Sequence, residues 1–328
     1  MAKYLQRQIA ENWATPYVAL LLTMFMWLLA GGLGHSWWLQ LGILAAIAFV
    51  LGEISNGNVL IRLRNRMTQS VFLLLATMVN PLFGELLPLV ATLCFVTGLL
   101  LLFRTYQTAG DVGTYYFSFL LFGVAVLLAP VLLFFVPLLW LLSASHLQSL
   151  NTQEGMASLL GLLTPFWMMI PMAIYVHFLN PQLSLLSPLD SFVHFFSNLV
   201  QHTSYVTTYY LLPLFFIVTL TAVSIVYFWI HRTNDRIQTR QLLTFFFWCL
   251  TYAVLLLLVL PGCYDSLMFL VIALATPLVA HLLTVTNTKL SNIFFFVVFA
   301  LTILVSIVSL IGLTLSDVSL FFSELWNG

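Results

Sequence analysis

The sequence predicts an all-α, polytopic transmembrane helical bundle, and three observations lead to this fold class. First, 62% of the 328 residues are hydrophobic and only 6% are charged, whereas soluble domains carry roughly a quarter charged residues. Second, the apolar runs are long and continuous, as in residues 293–313, which favours helices over the short alternating strands of a barrel. Third, the ten lysines and arginines can all be placed on one side of a membrane.

About eleven spans follow from the apolar runs, because about 20 apolar residues cross the hydrocarbon core as a helix. We predict one transmembrane domain over residues 1–328. Its predicted spans cover residues 16–32, 37–54, 68–79, 86–103, 114–128, 131–143, 156–178, 208–230, 242–260, 266–284 and 292–315.

The fifth and sixth spans come from one long run, residues 115–143, which Pro130 and Pro137 interrupt. We split it at Ala129–Pro130. With this split every lysine and arginine lies on the side of the N-terminus, as expected for short cytoplasmic segments. Without it, the basic residues from 232 to 289 would face outside. We therefore predict an inside N-terminus and an outside C-terminus.

The segment between the seventh and eighth spans, residues 179–207, is the longest predicted outer segment. Ser187 and Pro188 are typical of a helix start. Residues 190–202 then separate into a polar and an apolar face, so we predict an amphipathic helix over residues 187–202 on the outer membrane surface. Its apolar face holds Phe192, Val193, Phe195, Phe196, Leu199 and Val200.

Candidate catalytic residues lie on this outer side. Asp190 and His194 are one helical turn apart, so they could form an acid–base pair or supply two metal ligands. The simpler interpretation is a solvated polar face, which the lack of further spaced ligands favours. Glu85 is a third candidate, an outer carboxylate near a helix end. Other ionisable residues near helix ends are Glu53, His177, Asp265 and His281.

On the inner side, the connection between the second and third spans contains Arg62, Arg64 and Arg66. Arg62 and Arg66 are one turn apart if the segment is helical, a spacing that could hold a lipid phosphate, for example that of a polyprenyl phosphate. The alternative, which the general role of such residues favours, is charge that sets the topology and contacts anionic lipids without specificity.

Other site chemistries find little support in the sequence. Cys94, Cys249 and Cys263 show neither a disulfide framework nor metal-ligand spacing. The nucleotide-binding and hydrolase motifs of soluble enzymes do not occur. We therefore expect no metal, no cofactor and no nucleic-acid partner, and the sequence leaves open whether the protein is an enzyme.

Residues 115–130 and 160–165, together with 62–66, resemble an uncharacterised family of Bacteroidetes inner-membrane proteins, a domain of unknown function. The resemblance implies a bacterial inner membrane. A second resemblance is to multispanning glycosyltransferases that use polyprenyl phosphates. Those enzymes carry a catalytic carboxylate in a large first outer loop, whereas the corresponding loop here, residues 33–36, contains His35 and no acidic residue.

Three functions from different classes follow as expectations. The first is a lipid-binding or scaffold component of envelope biogenesis, with membrane lipid and other membrane proteins as partners. The second is a membrane glycosyltransferase or polymerase that uses a lipid-linked sugar. The third is a transporter or flippase, although the spans contain no acidic residue deep inside, which counts against coupling to protons or sodium.

Overall fold

The computed structural model describes residues 6, 8–9, 12–34, 37–57, 66–108, 110–179, 195–196, 208–286 and 289–327. This part of the chain is helical, with no β-strand. The predicted all-α class is therefore confirmed for the residues described.

Eleven α-helices lie in these residues, and each falls on one predicted span. They are α1 (Thr15–Leu29), α2 (Trp38–Gly57), α3 (Met67–Ala76), α4 (Leu86–Arg104), α5 (Val112–Leu128), α6 (Phe135–Leu142), α7 (Thr152–Leu179), α8 (Thr208–His231), α9 (Ile237–Val259), α10 (Tyr264–Val285) and α11 (Lys289–Asn327).

Eight helical segments of the described chain are long and apolar enough to cross a membrane, which indicates a multi-pass membrane protein. They are Trp38–Gly57, Met67–Gly84, Leu86–Arg104, Pro130–Leu147, Leu211–His231, Ile237–Val259, Pro261–Val285 and Lys289–Ile311. Two shorter apolar helices are Thr15–Leu29 and Val112–Leu128.

The predicted break at Ala129–Pro130 is present. Helix α5 ends at Leu128, and Ala129 adopts an extended conformation, with φ −137° and ψ 91°. A 3₁₀ segment, Pro130–Phe134, then leads into α6. The physical reason is that the proline ring disfavours helical backbone angles at the preceding residue and removes a helical hydrogen-bond donor.

The third predicted span is longer than expected and changes its geometry. Helix α3 ends at Ala76, and the chain continues as a 3₁₀ segment, Thr77–Gly84, with non-helical angles at Val79. Pro81 explains the change, because its ring would clash with the carbonyl of Thr77 in an α-helix. The side chain of Asn80 is fully buried and donates a 2.9 Å hydrogen bond to the Ser306 carbonyl of α11.

The helices group into two compact units. The first unit contains residues 1–86, 206–233 and 275–328. Within it α3 packs against both α1 and α2, and α11 packs against the 3₁₀ segment after α3. Near the start of the chain, Gln6 receives a 2.7 Å hydrogen bond from Ser291, and its backbone N–H donates to Asn292 at 3.1 Å.

The second unit contains residues 87–205 and 234–274. Its closest helix pair is α5 against α7. A methyl group at Gly123 would lie 2.6 Å from the Leu162 carbonyl oxygen, and one at Gly161 would clash with the Tyr116 carbonyl. The two glycines therefore allow the backbones to approach, as small residues do at membrane helix interfaces.

Buried aromatic rings fill the core of the second unit. Phe103 of α4 meets Phe245 of α9 at a centroid distance of 5.0 Å, edge to face. Phe95 makes a similar contact with Phe135 at 5.4 Å. Such edge-to-face pairs add about 0.5–1.5 kcal/mol each beyond the burial of apolar area.

A polar cluster closes one end of this unit. The Tyr115 hydroxyl lies 2.6 Å from the Ser149 hydroxyl, which is 3.3 Å from that of Thr105. Glu154 is buried beside it and accepts a 2.7 Å hydrogen bond from the Gly110 N–H. The connection between α4 and α5 is thus fixed to the start of α7.

Candidate functional site

The predicted site residues divide between described and undescribed parts of the chain. Arg62, Arg64, Asp190 and His194 lie outside the described residues. Glu85 is exposed where the 3₁₀ segment meets α4, and its N–H donates to the Leu82 carbonyl at 3.0 Å.

The predicted outer helix, residues 187–202, is described only at Phe195 and Phe196. Both residues are helical, and Phe195 is buried. The ring of Phe196 lies 6.3 Å from that of Phe134, in the 3₁₀ segment before α6.

Arg66 lies at a cavity of about 370 Å³ in the first unit, between α1, α2 and α3. We call this cavity the α1–α3 groove. Its volume is within the range of small-molecule sites, roughly 300–1,000 Å³. It is lined by Pro16, Tyr17, Leu20, Ala45, Ala48, Phe49, Glu53, Asn56, Arg66, Gln69 and Leu73.

The polar side chains of the groove come from the two helix ends that flank the 58–65 connection. Glu53 and Asn56 are three residues apart near the end of α2. Arg66 immediately precedes α3, and Gln69 follows three residues later. Residues three apart share one face of a helix, so each helix end turns two polar side chains toward the groove. We call this end of the groove its mouth.

The rest of the groove is apolar. On α2, Ala45 precedes Glu53 by eight residues, and Phe49 precedes it by four. On α3, Leu73 lies seven residues after Arg66. At 1.5 Å per residue, Ala45 is about 12 Å from Glu53 along the helix axis. The lining of the groove thus changes along α2 from polar at Glu53 to apolar at Phe49 and Ala45.

Both charged groups at the mouth are accessible. Arg66 is exposed, and its Nη1 donates a 3.3 Å hydrogen bond to the Trp13 carbonyl. Glu53 is also exposed, and it forms no ion pair with any residue that the structure describes. A carboxylate and a guanidinium are therefore both available to a ligand in the groove.

Aromatic side chains indicate the depth of the mouth in a membrane. Trp13 and Tyr17 are 68% and 56% exposed, and their rings pack edge to face with centroids 5.8 Å apart. Exposed tryptophan and tyrosine are typical of the head-group layer. Phe49 is 60% exposed at the side of the groove, so the apolar part faces the surroundings of the helices.

From the sequence, Arg66 is a predicted phosphate ligand, and Glu53 is only an ionisable residue near a helix end. Tyr17, Asn56 and Gln69 are not among the predicted site residues. The sequence does contain a pattern that indicates this site, because two pairs of polar residues, each with a spacing of three, flank the same short connection. What the sequence did not contain was the position of α1, which completes the groove.

In the part of the chain that the structure describes, no group of three or more histidine, cysteine, aspartate or glutamate side chains could hold a metal ion.

Comparison of the chain with protein-family models, with curated proteins and with solved structures finds no match.

Proposed function

We propose that the chain is a multi-pass protein of a bacterial inner membrane that binds a phosphate-bearing membrane lipid in the α1–α3 groove, as a component of envelope biogenesis. The observation that carries this proposal is the groove itself, which extends about 12 Å along α2 from a polar mouth at Glu53 to an apolar end at Ala45. A membrane lipid has the same two chemical parts in the same order.

Arg66 is the proposed phosphate ligand. A guanidinium can form two parallel hydrogen bonds to a phosphate, and these bonds are stronger than neutral ones. Arg66 immediately precedes α3, and the N-terminal end of a helix carries partial positive charge. Both contributions attract an anionic group to the same point of the mouth.

In this proposal, the apolar part of the groove accommodates the lipid tail. Leu20, Ala45 and Leu73 line it, and a tail can leave along Phe49 into the bilayer. Each methylene group removed from water contributes about 0.8 kcal/mol, but a tail already in hydrocarbon gains little from the transfer. The head group therefore determines which lipid binds, and a polyprenyl phosphate is one lipid of the required chemistry.

We also propose an inside N-terminus with about eleven spans, and contacts within the first unit agree with the relative sidedness of its helix ends. Gln6 contacts Asn292, and Arg66 contacts Trp13; the predicted topology places all four inside or at the inner end of a span. The side chain of Gln40, at the outer end of a predicted span, donates at 3.2 Å to the carbonyl of Gly84, which is predicted outside. Helix ends assigned to the same side are thus neighbours.

The groove also favours lipid binding over the other candidate functions. A flippase needs a polar path across the membrane, whereas the lining of this groove becomes apolar about one helical turn from Glu53, at Phe49. A glycosyltransferase needs a carboxylate over an outer substrate, whereas the mouth lies between the ends of α2 and α3 that the predicted topology places inside.

Native mass spectrometry of the purified chain in detergent, with phosphatidylglycerol, phosphatidylethanolamine and a polyprenyl phosphate added separately, tests the proposal. A hydrogen bond to a charged group contributes roughly 1.5–3 kcal/mol. Arg66→Gln should therefore reduce the affinity for the lipid, obtained from the lipid-bound fraction over a titration, by about tenfold or more. Ala45→Phe, which fills the apolar part without changing charge, should reduce it as well.

Arg236→Gln is the matched control, because Arg236 is an exposed arginine that immediately precedes a helix, α9, outside the groove. It should leave the lipid-bound fraction unchanged. Equal losses for Arg66→Gln and Arg236→Gln would show that inner arginines attract lipid only through their general charge, and the proposal would then fail.

A further inference from the structure

We infer that the α1–α3 groove selects a zwitterionic aminophospholipid, with a phosphate and an ammonium in one head group, over lipids with a net negative charge. This inference rests on the proposed lipid binding and specifies the class of lipid. Its basis is the second charged group at the mouth, Glu53, for which phosphate binding alone provides no role.

Among the residues that the structure describes, the mouth presents one carboxylate and one guanidinium, from different helices. Glu53 belongs to α2 and Arg66 to the start of α3, and both line the same cavity. A purely anionic head group would gain from Arg66 but would be repelled by Glu53. A head group with both charges gains from each, so the carboxylate discriminates against anionic lipids by repulsion.

The helix ends reinforce this arrangement of charge. Glu53 lies four residues before Gly57, the last residue of α2, and the C-terminal end of a helix favours a cation. Arg66 lies at the opposite kind of end, before the first residue of α3, which favours an anion. The ammonium is therefore expected at α2 and the phosphate at α3.

Hydrogen bonding fits the same head group. A primary ammonium has three N–H donors, and an ionised carboxylate only accepts. Glu53 is exposed and can take an ammonium donor without giving up a described ion pair. The guanidinium of Arg66 only donates, which suits phosphate oxygens.

The test is competition between lipids with identical acyl chains, observed by native mass spectrometry of the full chain in detergent. Equimolar phosphatidylethanolamine and phosphatidylglycerol are offered together, and a polyprenyl phosphate is offered against phosphatidylethanolamine in a second series. The wild-type chain should retain phosphatidylethanolamine at least fivefold more than either anionic lipid.

Glu53→Gln should reverse this preference, because it removes the repulsion and the ammonium partner together. Glu53→Asp, which keeps the charge, should retain the preference for phosphatidylethanolamine. Asp111→Asn is the matched control, since Asp111 is an exposed carboxylate immediately before a helix, α5, outside the groove. It should leave the ratio between the lipids unchanged.

The failures are distinguishable. If the wild-type chain prefers phosphatidylglycerol or the polyprenyl phosphate, or if Glu53→Gln leaves the ratio as it was, the inference is wrong while lipid binding stands. If Arg66→Gln changes the retention of none of the lipids, the proposed function itself falls. Should Glu53→Gln fail to fold, the preference of the wild-type chain alone decides the inference.

Discussion

At the scale of single residues, Glu154 is a carboxylate near a helix start that is buried in the folded protein. It is the third residue of α7, a place where the sequence alone suggests a solvated carboxylate. In the structure it is 1% exposed, and one of its oxygens accepts the Gly110 N–H at 2.7 Å. Gly110 itself has φ +94°, which favours glycine over other residues.

Replacement of Glu154 by alanine should therefore destabilise the protein. The change removes the carboxylate that accepts the Gly110 N–H, and a hydrogen bond to a charged group contributes about 1.5–3 kcal/mol. Thermal unfolding in detergent should show a clear loss for Glu154→Ala and a smaller one for Glu154→Gln, which keeps an acceptor oxygen. Its exposed neighbour provides the comparison: if Gln153→Ala lowers stability as much as Glu154→Ala, the hydrogen bond has no special role.

At the scale of elements, the pair α5 and α7 depends on two close approaches of backbone. Leu162 and Tyr116 supply the carbonyl oxygens that leave no room for a methyl group at Gly123 and Gly161, respectively. The hydroxyls of Tyr116 and Thr164 add a hydrogen bond of 3.0 Å between the same helices. The packing is thus set by backbone proximity more than by large side chains.

Two alanine substitutions on α7 should consequently have opposite effects on the stability of the protein. Gly161→Ala forces α5 and α7 apart and should cost about 1–3 kcal/mol. Gly155→Ala places its methyl group where nothing lies within 4 Å, and it should stabilise the helix by roughly 0.5–1 kcal/mol. Unfolding of both variants under the same conditions measures the difference. A loss of stability in Gly155→Ala, or none in Gly161→Ala, would contradict this account of the interface.

At the scale of the whole molecule, the break at Ala129 determines the predicted sidedness of everything that follows it. It separates α5 from the 3₁₀ segment and α6, and so allows this region to cross the membrane twice. An even number of crossings there keeps the later arginines on the side of the N-terminus. A single crossing would place them outside, against the usual distribution of basic residues.

Topology reporters fused after Arg236 and at the C-terminus should therefore report opposite sides of the membrane. The fusion at Arg236 should be inside and the C-terminal fusion outside, because α9, α10 and α11 give an odd number of crossings between them. A third fusion, near Arg104, should agree with the one at Arg236. If both main fusions report the same side, the predicted number of spans is wrong.

The sequence by itself determined the all-α class and the places where helices lie. In lipid, the backbone of an apolar run of about 20 residues must satisfy its hydrogen bonds internally, which favours a helix. The effect of Pro130 on the backbone of Ala129 is local, so the helix break could be predicted without knowledge of the tertiary structure. The change to 3₁₀ geometry after Ala76 was not predicted, although Pro81 is the local cause.

Only the tertiary structure decided which residues share a site. Glu53 and Arg66 are separated by a connection whose course the sequence does not fix, and α1 closes the groove from a distant part of the chain. Glu154 is buried for the same kind of reason, since the connection after α4 covers it. Hydropathy reports how each residue partitions between lipid and water, whereas a site depends on which helices pack together, and that follows from contacts between residues far apart in the chain.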